Sequence, residues 1–399
     1  MKATATPSLR LDSIDVFRAI TMFLMIFVND LWTLKDVPAP LEHTAAEADG
    51  MGLADTIFPA FLFIVGLSIP FGLMARQKKG FSQQQTFIYI LIRSLALLIM
   101  GFFHVNLENY NEAAALLPRP AWQILITIGF FMVWLDYSPT MNKRTRWLLQ
   151  IAGIVLLAIM AGLYKGSDDG KVIWMRPQWW GILGLIGWSY LLCGLIYLFV
   201  KNNLLLLTAA LAFFLLFNIA AHAGWLQMLD GIHTYIWVVG DASMPALTMA
   251  GVIAAVIYHR MRMAGKTNQS MIILFCLGVF MLLAGFAIRP LAGISKIRAT
   301  PSWVIICSGI SMLFFIVLIY LADIKKKQHW FRLIKPAGTS TLTCYLLPYI
   351  HYALYSVAGI SIPLMMRTGG IGIIKSLLYS LVIILIAGVL EKWRLRLKI

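Results

Sequence analysis

The sequence predicts an all-α integral membrane protein, a polytopic bundle of about 11–12 transmembrane helices with a cytoplasmic N-terminus. Of its 399 residues, 60% are hydrophobic and only 13% are charged, whereas about 25% of the residues of an ordinary soluble domain carry a charge. The mean hydropathy is +0.81. Apolar stretches of about twenty residues, long enough to cross a bilayer as a helix, recur along the chain. These observations exclude a soluble globular protein.

The apolar stretches define twelve predicted spans, and charged or turn-forming residues separate them. The spans lie near 14–32, 53–74, 86–106, 119–137, 147–164, 179–200, 203–221, 241–259, 271–288, 302–323, 340–360 and 371–390. Residues 1–13 are predicted to be a short cytoplasmic tail and residues 391–399 a basic cytoplasmic tail. Residues 14–390 form a single predicted transmembrane domain.

The positive charge of the chain follows the predicted loops. With the N-terminus placed in the cytoplasm, 22 of the 33 Lys and Arg residues fall on the cytoplasmic side and 9 on the outer side, while Arg93 and Lys375 lie inside spans. An excess of basic residues on the cytoplasmic side follows the positive-inside rule, which sets the orientation of a protein in the membrane. The net charge of +16 is therefore explained by topology, with membrane lipids as its partner. We expect no nucleic-acid partner.

The first span has an apolar run that is too short for a bilayer. Only the ten residues 19–28 separate Arg18 from Asn29 and Asp30, and the eleven helical steps from Arg18 to Asn29 cover roughly 16 Å of a hydrocarbon core about 30 Å thick. Arg18 alone is also explained by snorkelling to the headgroups. A carboxylate at membrane depth is costly unless it faces a polar interior, so Asp30 indicates a functional site.

The outer loop after the first span carries a candidate general base. His43 lies in an acidic segment, PAPLEHTAAEADG, and histidine is the common general base because the pKa of a free imidazole is near neutrality. A loop histidine is also often only solvated. Asp55 opens the second span, where an acidic residue equally suits the positive end of a helix dipole.

Two further groups of residues are candidates for binding anions. Arg93 lies in the apolar run IYILIRSLALLIM; it either snorkels to the cytoplasmic surface or contacts a phosphate, which a guanidinium suits through its planar donors. The outer segment GISKIRATPSW combines Lys296 and Arg298 with Trp303. That combination is typical of a solvated loop or of a site for an anionic sugar, which the indole would stack against.

Motifs of several enzyme classes are missing from the sequence. It contains no P-loop, GxGxxG, HExxH or GxSxG pattern, so ATP-driven transport and metal-dependent hydrolysis lack their usual residues. The four cysteines lie in apolar spans without a paired spacing. We expect no metal site.

Two early segments and two later ones carry a resemblance to a known family. RLDSIDVFRAITMFLMIFVND, a following histidine and DGMGLADTIFPAFLFIVGLSIP resemble the heparan-α-glucosaminide N-acetyltransferase family of membrane proteins. GISKIRATPSW and AGTSTLTCYLL are similar to its later segments. The resemblance is to a bacterial-type member that lacks the N-terminal luminal domain.

The resemblance implies an activity and roles for individual residues. Members of this family take acetyl-CoA from the cytoplasm and acetylate the free amine of a terminal glucosamine on the other side. The family's catalytic histidine corresponds to His43, its active-site asparagine to Asn29, and the aspartate of its second motif to Asp55.

We therefore predict a transmembrane acetyltransferase with acetyl-CoA as co-substrate and a heparan- or heparin-type saccharide as acceptor. His43 would be a base or a transient acetyl carrier, and Asn29 would hold the thioester carbonyl. The predicted acetyl-CoA contacts are Arg18, Arg93 and Gln123. The predicted saccharide contacts are Asp30, Asp55, Lys296, Arg298 and Trp303.

Location, assembly and two alternatives complete the prediction. We expect a multi-pass protein of the bacterial inner membrane that forms a homodimer. One alternative is a proton-coupled secondary transporter, in which Asp30, His43 and Asp55 would relay protons. The other is an acetyltransferase with the same residues acting on a different envelope glycan.

Overall fold

The chain is an all-α membrane protein built on long apolar helices. A computed structural model describes residues 11–179, 181–233, 235, 236 and 241–399. The predicted tail 1–13 lies outside the described residues except for 11–13. We number the twelve long helices of the described part α1 to α12. Their bounds are Asp12–Asp30, Ala54–Lys78, Gln83–Val105, Arg119–Trp134, Lys143–Leu163, Ile182–Val200, Leu204–His222, Ser243–Met263, Thr267–Ala287, Pro301–Leu318, Thr341–Val357 and Gly369–Lys392.

Each predicted span coincides with one long helix, so the predicted fold class is confirmed. Within the described part, nine helices are long and apolar enough to cross a membrane. The other three are α1, which carries four charged side chains over 19 residues, and α4 and α11, which have 16 and 17 residues. The cytoplasmic placement of the N-terminus stays a prediction.

Short elements fill the connections. The connection between the fifth and sixth predicted spans forms a hairpin of β1, Gly166–Asp168, and β2, Lys171–Ile173. Asp169 and Gly170 at its turn both have positive φ, as expected for an Asp-Gly hairpin. Helix α10 continues as a π-helical turn over Ile319–Ile324. Short helices and 3-10 turns cover Leu31–Thr33, Ala39–Leu41, Gln227–Leu229, Asp230–His233, Arg289–Ala292, Gln328–Ile334, Lys335–Thr339 and Leu364–Arg367.

Contacts between residues divide the chain into two compact units. The first unit comprises Met1–Thr21, Ala39–Leu95 and Ile186–Arg332, and the second comprises Met22–Pro38, Ala96–Leu185 and Leu333–Ile399. Helices α1, α3 and α6 contribute residues to both units. The three predicted domain boundaries, at 1–13, 14–390 and 391–399, stay predictions.

The core of the first unit is α8, which is buried without interruption from Ser243 to Tyr258. It packs against α2, α7, α9 and α10. Gly66 of α2 and Gly251 of α8 lie at the crossing of these two helices. A Cβ atom at Gly66 would collide with the carbonyl oxygen of Thr248, and one at Gly251 with that of Phe63. The two backbones therefore touch, and this contact fixes the position of α2, which carries Asp55.

In the second unit, α4 packs against α5 and α11, and α11 packs against α12. Trp122 of α4 is fully buried, and its indole N–H donates to the carbonyl of Met160 in α5 at 2.9 Å. The chain after α12 folds back onto this unit, since the guanidinium of Arg396 pairs with Asp136 at 3.0 Å and with Glu391 at 2.6 Å. This segment is the predicted basic tail, and ion pairs hold it in place.

Candidate active site

The first unit pairs His43 with Asp55. The imidazole Nδ1 lies 2.6 Å from the Asp55 carboxylate, which is completely buried, while the His43 side chain is 42% exposed. Asp55 lies in the first turn of α2, where the helix dipole favours a negative charge. A buried carboxylate that faces an exposed imidazole is the arrangement that orients a catalytic histidine.

The Asp55 carboxylate is held by backbone donors as well as by His43. The amides of Thr44 and Gly52 donate to its second oxygen at 3.0 and 2.9 Å. Residue 52 has no room for a Cβ atom, because such an atom would overlap the carbonyl oxygen of Glu42. The tight loop 42–52 therefore supplies both the histidine and the donors that fix its partner.

These contacts assign the tautomer of the imidazole. Since a carboxylate only accepts, Nδ1 of His43 carries the hydrogen that it donates to Asp55. In the neutral imidazole the lone pair therefore lies on Nε2.

Lys296 lies beside the same imidazole. Its Nζ is 3.2 Å from Nε2 and 3.3 Å from Nδ1 of His43. Burial lowers the pKa of Lys296, and the nearby Asp55 carboxylate opposes that shift. Lys296, which the sequence predicts to contact the substrate, therefore lies next to His43.

Hydrogen bonds between two loops hold Lys296 beside His43. Asp49, from the loop of His43, accepts from the amide of Ile294 at 2.7 Å and from the guanidinium of Arg289 at 2.8 Å. The Ile294 amide, followed by Arg289, lowers the pKa of Asp49. In return the amide of Gly50 donates to the carbonyl of Ile294 at 2.9 Å. The segment that carries Lys296 is therefore tied to the segment that carries His43.

The other two predicted saccharide contacts in the segment GISKIRATPSW, Trp303 and Arg298, differ in exposure. Trp303 is completely buried, and its indole N–H donates to the backbone carbonyl of Asp55 at 3.0 Å. The indole is therefore held against the backbone of Asp55 and offers no open face to a sugar. Arg298 is exposed, and its backbone carbonyl contacts the imidazole of His222 at 2.9 Å.

The predicted acetyl-CoA contacts in the first unit have protein partners. Arg18 hydrogen-bonds Ser68 at 2.7 Å and pairs with Asp15 at 3.3 Å. Arg93 hydrogen-bonds the hydroxyl of Tyr89 at 2.9 Å and lies over the ring of Tyr190 at 5.0 Å. Both guanidiniums are therefore held within the helical bundle of this unit, in line with the cost of an unpaired cation there.

In the second unit, Asp30 forms a buried ion pair. Its carboxylate is 2.6 Å from Nζ of Lys375 and also accepts from the hydroxyls of Tyr352 and Ser376, at 2.6 and 2.5 Å. Asp30 is 2% exposed. Both of its oxygens accept hydrogen bonds, so this carboxylate stabilises the contact of α1 with α11 and α12.

Asn29 and Gln123 line a single cavity of about 570 Å³ in the second unit. Asn29 comes from the end of α1, and Gln123 lies in the second turn of α4, where its amide donates to the carbonyl of Tyr349 at 2.7 Å. The structure thus brings His43, Asp55, Lys296 and Trp303 together in the first unit and Asn29 with Gln123 in the second.

Comparisons with known proteins give the family of the chain. Residues 10–230, more than half of the 399, match the family profile described as a domain of unknown function, DUF5009. The chain belongs to the DUF5009 family. Over 105 residues it is also 35% identical to heparan-alpha-glucosaminide N-acetyltransferase of Homo sapiens and 33% identical to the protein of that name from Mus musculus. The predicted resemblance is confirmed.

The extent of these matches differs. Each of the two alignments covers 25% of this chain but only 14% of the mammalian protein. The part matched to DUF5009 includes Asn29, His43, Asp55 and Gln123. Lys296 lies beyond the matched residues, and its place beside His43 follows from the structure alone.

Sequence reasoning missed several residues of these sites. Lys375 is visible as a lysine inside an apolar span, but nothing in the sequence connects it with Asp30, 345 residues away. His104 and Glu108, which also line the cavity of the second unit, lie at the end of a span, where a polar residue is ordinary.

Proposed function

We propose that the protein is an integral-membrane N-acetyltransferase. It moves the acetyl group of cytoplasmic acetyl-CoA to the free amine of a terminal glucosamine on a heparan- or heparin-type saccharide at the outer side. The local identity to two enzymes named for that activity supports the proposal. The observation that carries it is the contact of the buried Asp55 carboxylate with Nδ1 of His43, which leaves Nε2, 3.2 Å from Nζ of Lys296, as the nitrogen that acts as the base.

The pair accounts for the proton transfer that acetylation of an amine requires. A glucosamine ammonium gives one proton to Nε2 of His43, and the Asp55 carboxylate stabilises the imidazolium that forms. The neutral amine then attacks the thioester carbonyl. The C–S bond breaks as the C–N bond forms, and the second proton of the nitrogen neutralises the CoA thiolate.

His43 serves equally well as an acetyl carrier. In that version Nε2 attacks the thioester, the CoA thiolate leaves, and the amine then displaces the imidazole from the acetyl group. Direct transfer requires both substrates to be bound together, whereas an acetyl-imidazole gives ping-pong kinetics. Both versions use Nε2, and both need Asp55.

The role of Asn29 follows from the family resemblance, and the roles of the basic residues follow from their charge and position in the sequence. Asn29 is proposed to donate to the thioester carbonyl, and Arg18 and Arg93 to contact the phosphates of CoA. Lys296 and Arg298 are proposed to meet anionic groups of the saccharide. Trp303, which is buried against Asp55, is proposed as a support for the carboxylate.

The test is acetyl transfer by the purified protein. Wild-type protein and His43→Ala are incubated with acetyl-CoA and a glucosamine-terminated heparan oligosaccharide, and the N-acetylated product is measured by mass spectrometry. We expect product from the wild type only, with melting curves showing that both proteins are folded. Equal product from both proteins would remove His43 from the reaction, and proton-coupled uptake without product would favour the transporter.

A further inference from the structure

The last residue of α7, His222, lies within hydrogen-bonding distance of two backbone carbonyls at once. Its Nδ1 is 2.9 Å from the carbonyl oxygen of Asn218, one turn earlier in the helix, and its Nε2 is 2.9 Å from that of Arg298. All three residues belong to the first unit. The imidazole therefore bridges α7 and the segment 293–300, which carries Lys296.

The two acceptors define the protonation state in which this bridge is complete. A carbonyl oxygen only accepts, and a neutral imidazole has a single N–H. The neutral ring therefore makes one of the two hydrogen bonds and turns a lone pair towards the other oxygen. Only the imidazolium donates to Asn218 and Arg298 together.

The backbone of the segment 293–300 depends on support of this kind. The amide of Ala299 donates to the carbonyl of Lys296 at 3.0 Å, and the φ of Ala299 is 51°, in the left-handed region. A residue with a side chain keeps such a backbone only where its surroundings hold it. The side-chain amide of Asn218 donates to the carbonyl of Ala299 at 3.2 Å. Together with His222, it holds the last two residues of this turn.

Charges around the bridge act on its proton in both directions. The ring lies at the C-terminal end of α7, where the helix dipole favours a cation. Lys296 and Arg298 bring two positive charges on the facing segment, and these oppose a third. Helices α7 and α10, over 204–222 and 301–318, carry no other charged side chain. The titratable groups on the loops that adjoin α7, α8 and the segment 293–300 are Asp49, Asp230, His233 and Asp241.

We propose that His222 is a positioning residue that holds Lys296 beside His43 and does so most tightly as an imidazolium. Proton uptake completes the bridge, and proton loss removes one of its two hydrogen bonds and loosens the segment 293–300. Histidine is the side chain that ordinarily changes charge between about pH 5 and pH 8, so the position of Lys296 responds to pH. The role of Lys296 towards the acceptor saccharide rests on the proposed function, whereas the bridge itself does not.

Hydrogen–deuterium exchange tests the bridge without requiring catalysis. Full-length wild-type protein and His222→Gln are compared in detergent, without acetyl-CoA, and deuterium uptake by peptides that cover 293–303 is followed by mass spectrometry. Both proteins are measured at the same pH, so the intrinsic pH dependence of exchange cancels from the ratio of their rates. Glutamine is neutral at every pH and donates from a single nitrogen.

We expect these peptides to exchange about tenfold faster in His222→Gln than in the wild type at about pH 5, the size of one hydrogen bond to a charged group. At about pH 8 the ratio is expected to fall towards one, because each side chain then donates once. His329→Gln is the matched control, since it removes an exposed imidazole of the same unit whose ring contacts Trp330. It is expected to exchange like the wild type at both pH values.

Three results would overturn the proposal. They are equal exchange in the wild type and His222→Gln at both pH values, a ratio that does not change with pH, and the same pH-dependent ratio for His329→Gln. His222 is only half-buried at a helix end, and melting curves establish that its variant is folded. Acetyl transfer is measured separately, so a pH-dependent bridge in a protein that makes no product would keep this inference and overturn the proposed function.

Discussion

At the scale of single residues, the Asp55 carboxylate binds Nδ1 of His43 and so leaves Nε2 as the nitrogen that is proposed to take up a proton. It receives two backbone amides and Nδ1, and the carbonyl of the same residue receives the indole of Trp303. So many fixed donors make this carboxylate a rigid support. The proposed reactive atom is Nε2, which lies 3.2 Å from Nζ of Lys296.

Asp55→Asn is therefore expected to lower kcat for acetyl transfer by about 10²–10⁴-fold, the range of general acid–base catalysis. An amide at residue 55 no longer stabilises an imidazolium, so the larger effect is expected on kcat, while KM also reports the predicted saccharide contact of Asp55. Steady-state kinetics by product mass spectrometry measure both constants. Asp36→Asn, at an exposed position with a left-handed backbone that asparagine tolerates, is the control. A wild-type kcat for Asp55→Asn would refute the role of the pair.

Lys296 gives a prediction about pH. Burial lowers its pKa, so its neutral, nucleophilic form is present at lower pH than that of a freely exposed lysine. Labelling with deuterated acetic anhydride over a pH series, read by peptide mass spectrometry, is expected to show half-maximal reactivity of Lys296 at a lower pH than for an exposed lysine. A midpoint at or above that of exposed lysines would contradict this environment.

The residues of the site could be predicted only in part. His43, Asn29 and Asp55 follow from segments close together in the sequence, and the structure pairs two of them. The partners of Asp30, and the place of Lys296, depend on contacts across more than 240 residues, and no local pattern encodes such contacts.

At the scale of elements, the crossing of α2 and α8 holds the site of the first unit in place. Their backbones touch at Gly66 and Gly251, and such close approaches between membrane helices depend on small residues. Asp55 lies eleven residues before Gly66 on α2. A change at the crossing thus acts on the position of Asp55 as well as on stability.

Gly66→Ala is expected to destabilise the protein by about 1–3 kcal/mol, because the added methyl group overlaps the carbonyl oxygen of Thr248. Gly72→Ala is the matched control on the same helix, since nothing lies within 4 Å of a Cβ atom there, and alanine there is neutral or slightly stabilising. Thermal unfolding in detergent compares the two. Equal melting temperatures for both variants would show that the helices do not pack at this crossing.

The helices themselves were the most predictable part of the structure, because a bilayer demands long apolar helices that recur in the sequence. The first span shows the limit of that reasoning. Its short apolar run belongs to a continuous helix, Asp12–Asp30, whose final carboxylate is paired with Lys375 inside the second unit. The sequence showed that this carboxylate needed a partner, but it did not show which one.

At the scale of the whole molecule, the proposed function requires acetyl groups to cross the membrane while acetyl-CoA does not. The predicted split of 22 cytoplasmic against 9 outer basic residues places the loop of His43 on the outer side and the CoA pool on the other. The proposed catalytic base would thus lie on the side opposite to the donor, unlike in a soluble acetyltransferase.

Sealed proteoliposomes test this claim most directly. Labelled acetyl-CoA is supplied outside, glucosamine-terminated saccharide is trapped inside, and N-acetylated saccharide is measured after lysis, for wild-type protein and for His43→Ala. We predict labelled product inside the vesicles with the wild type and none with His43→Ala. Product that forms only when both substrates share a compartment, or equally with His43→Ala, would contradict the account.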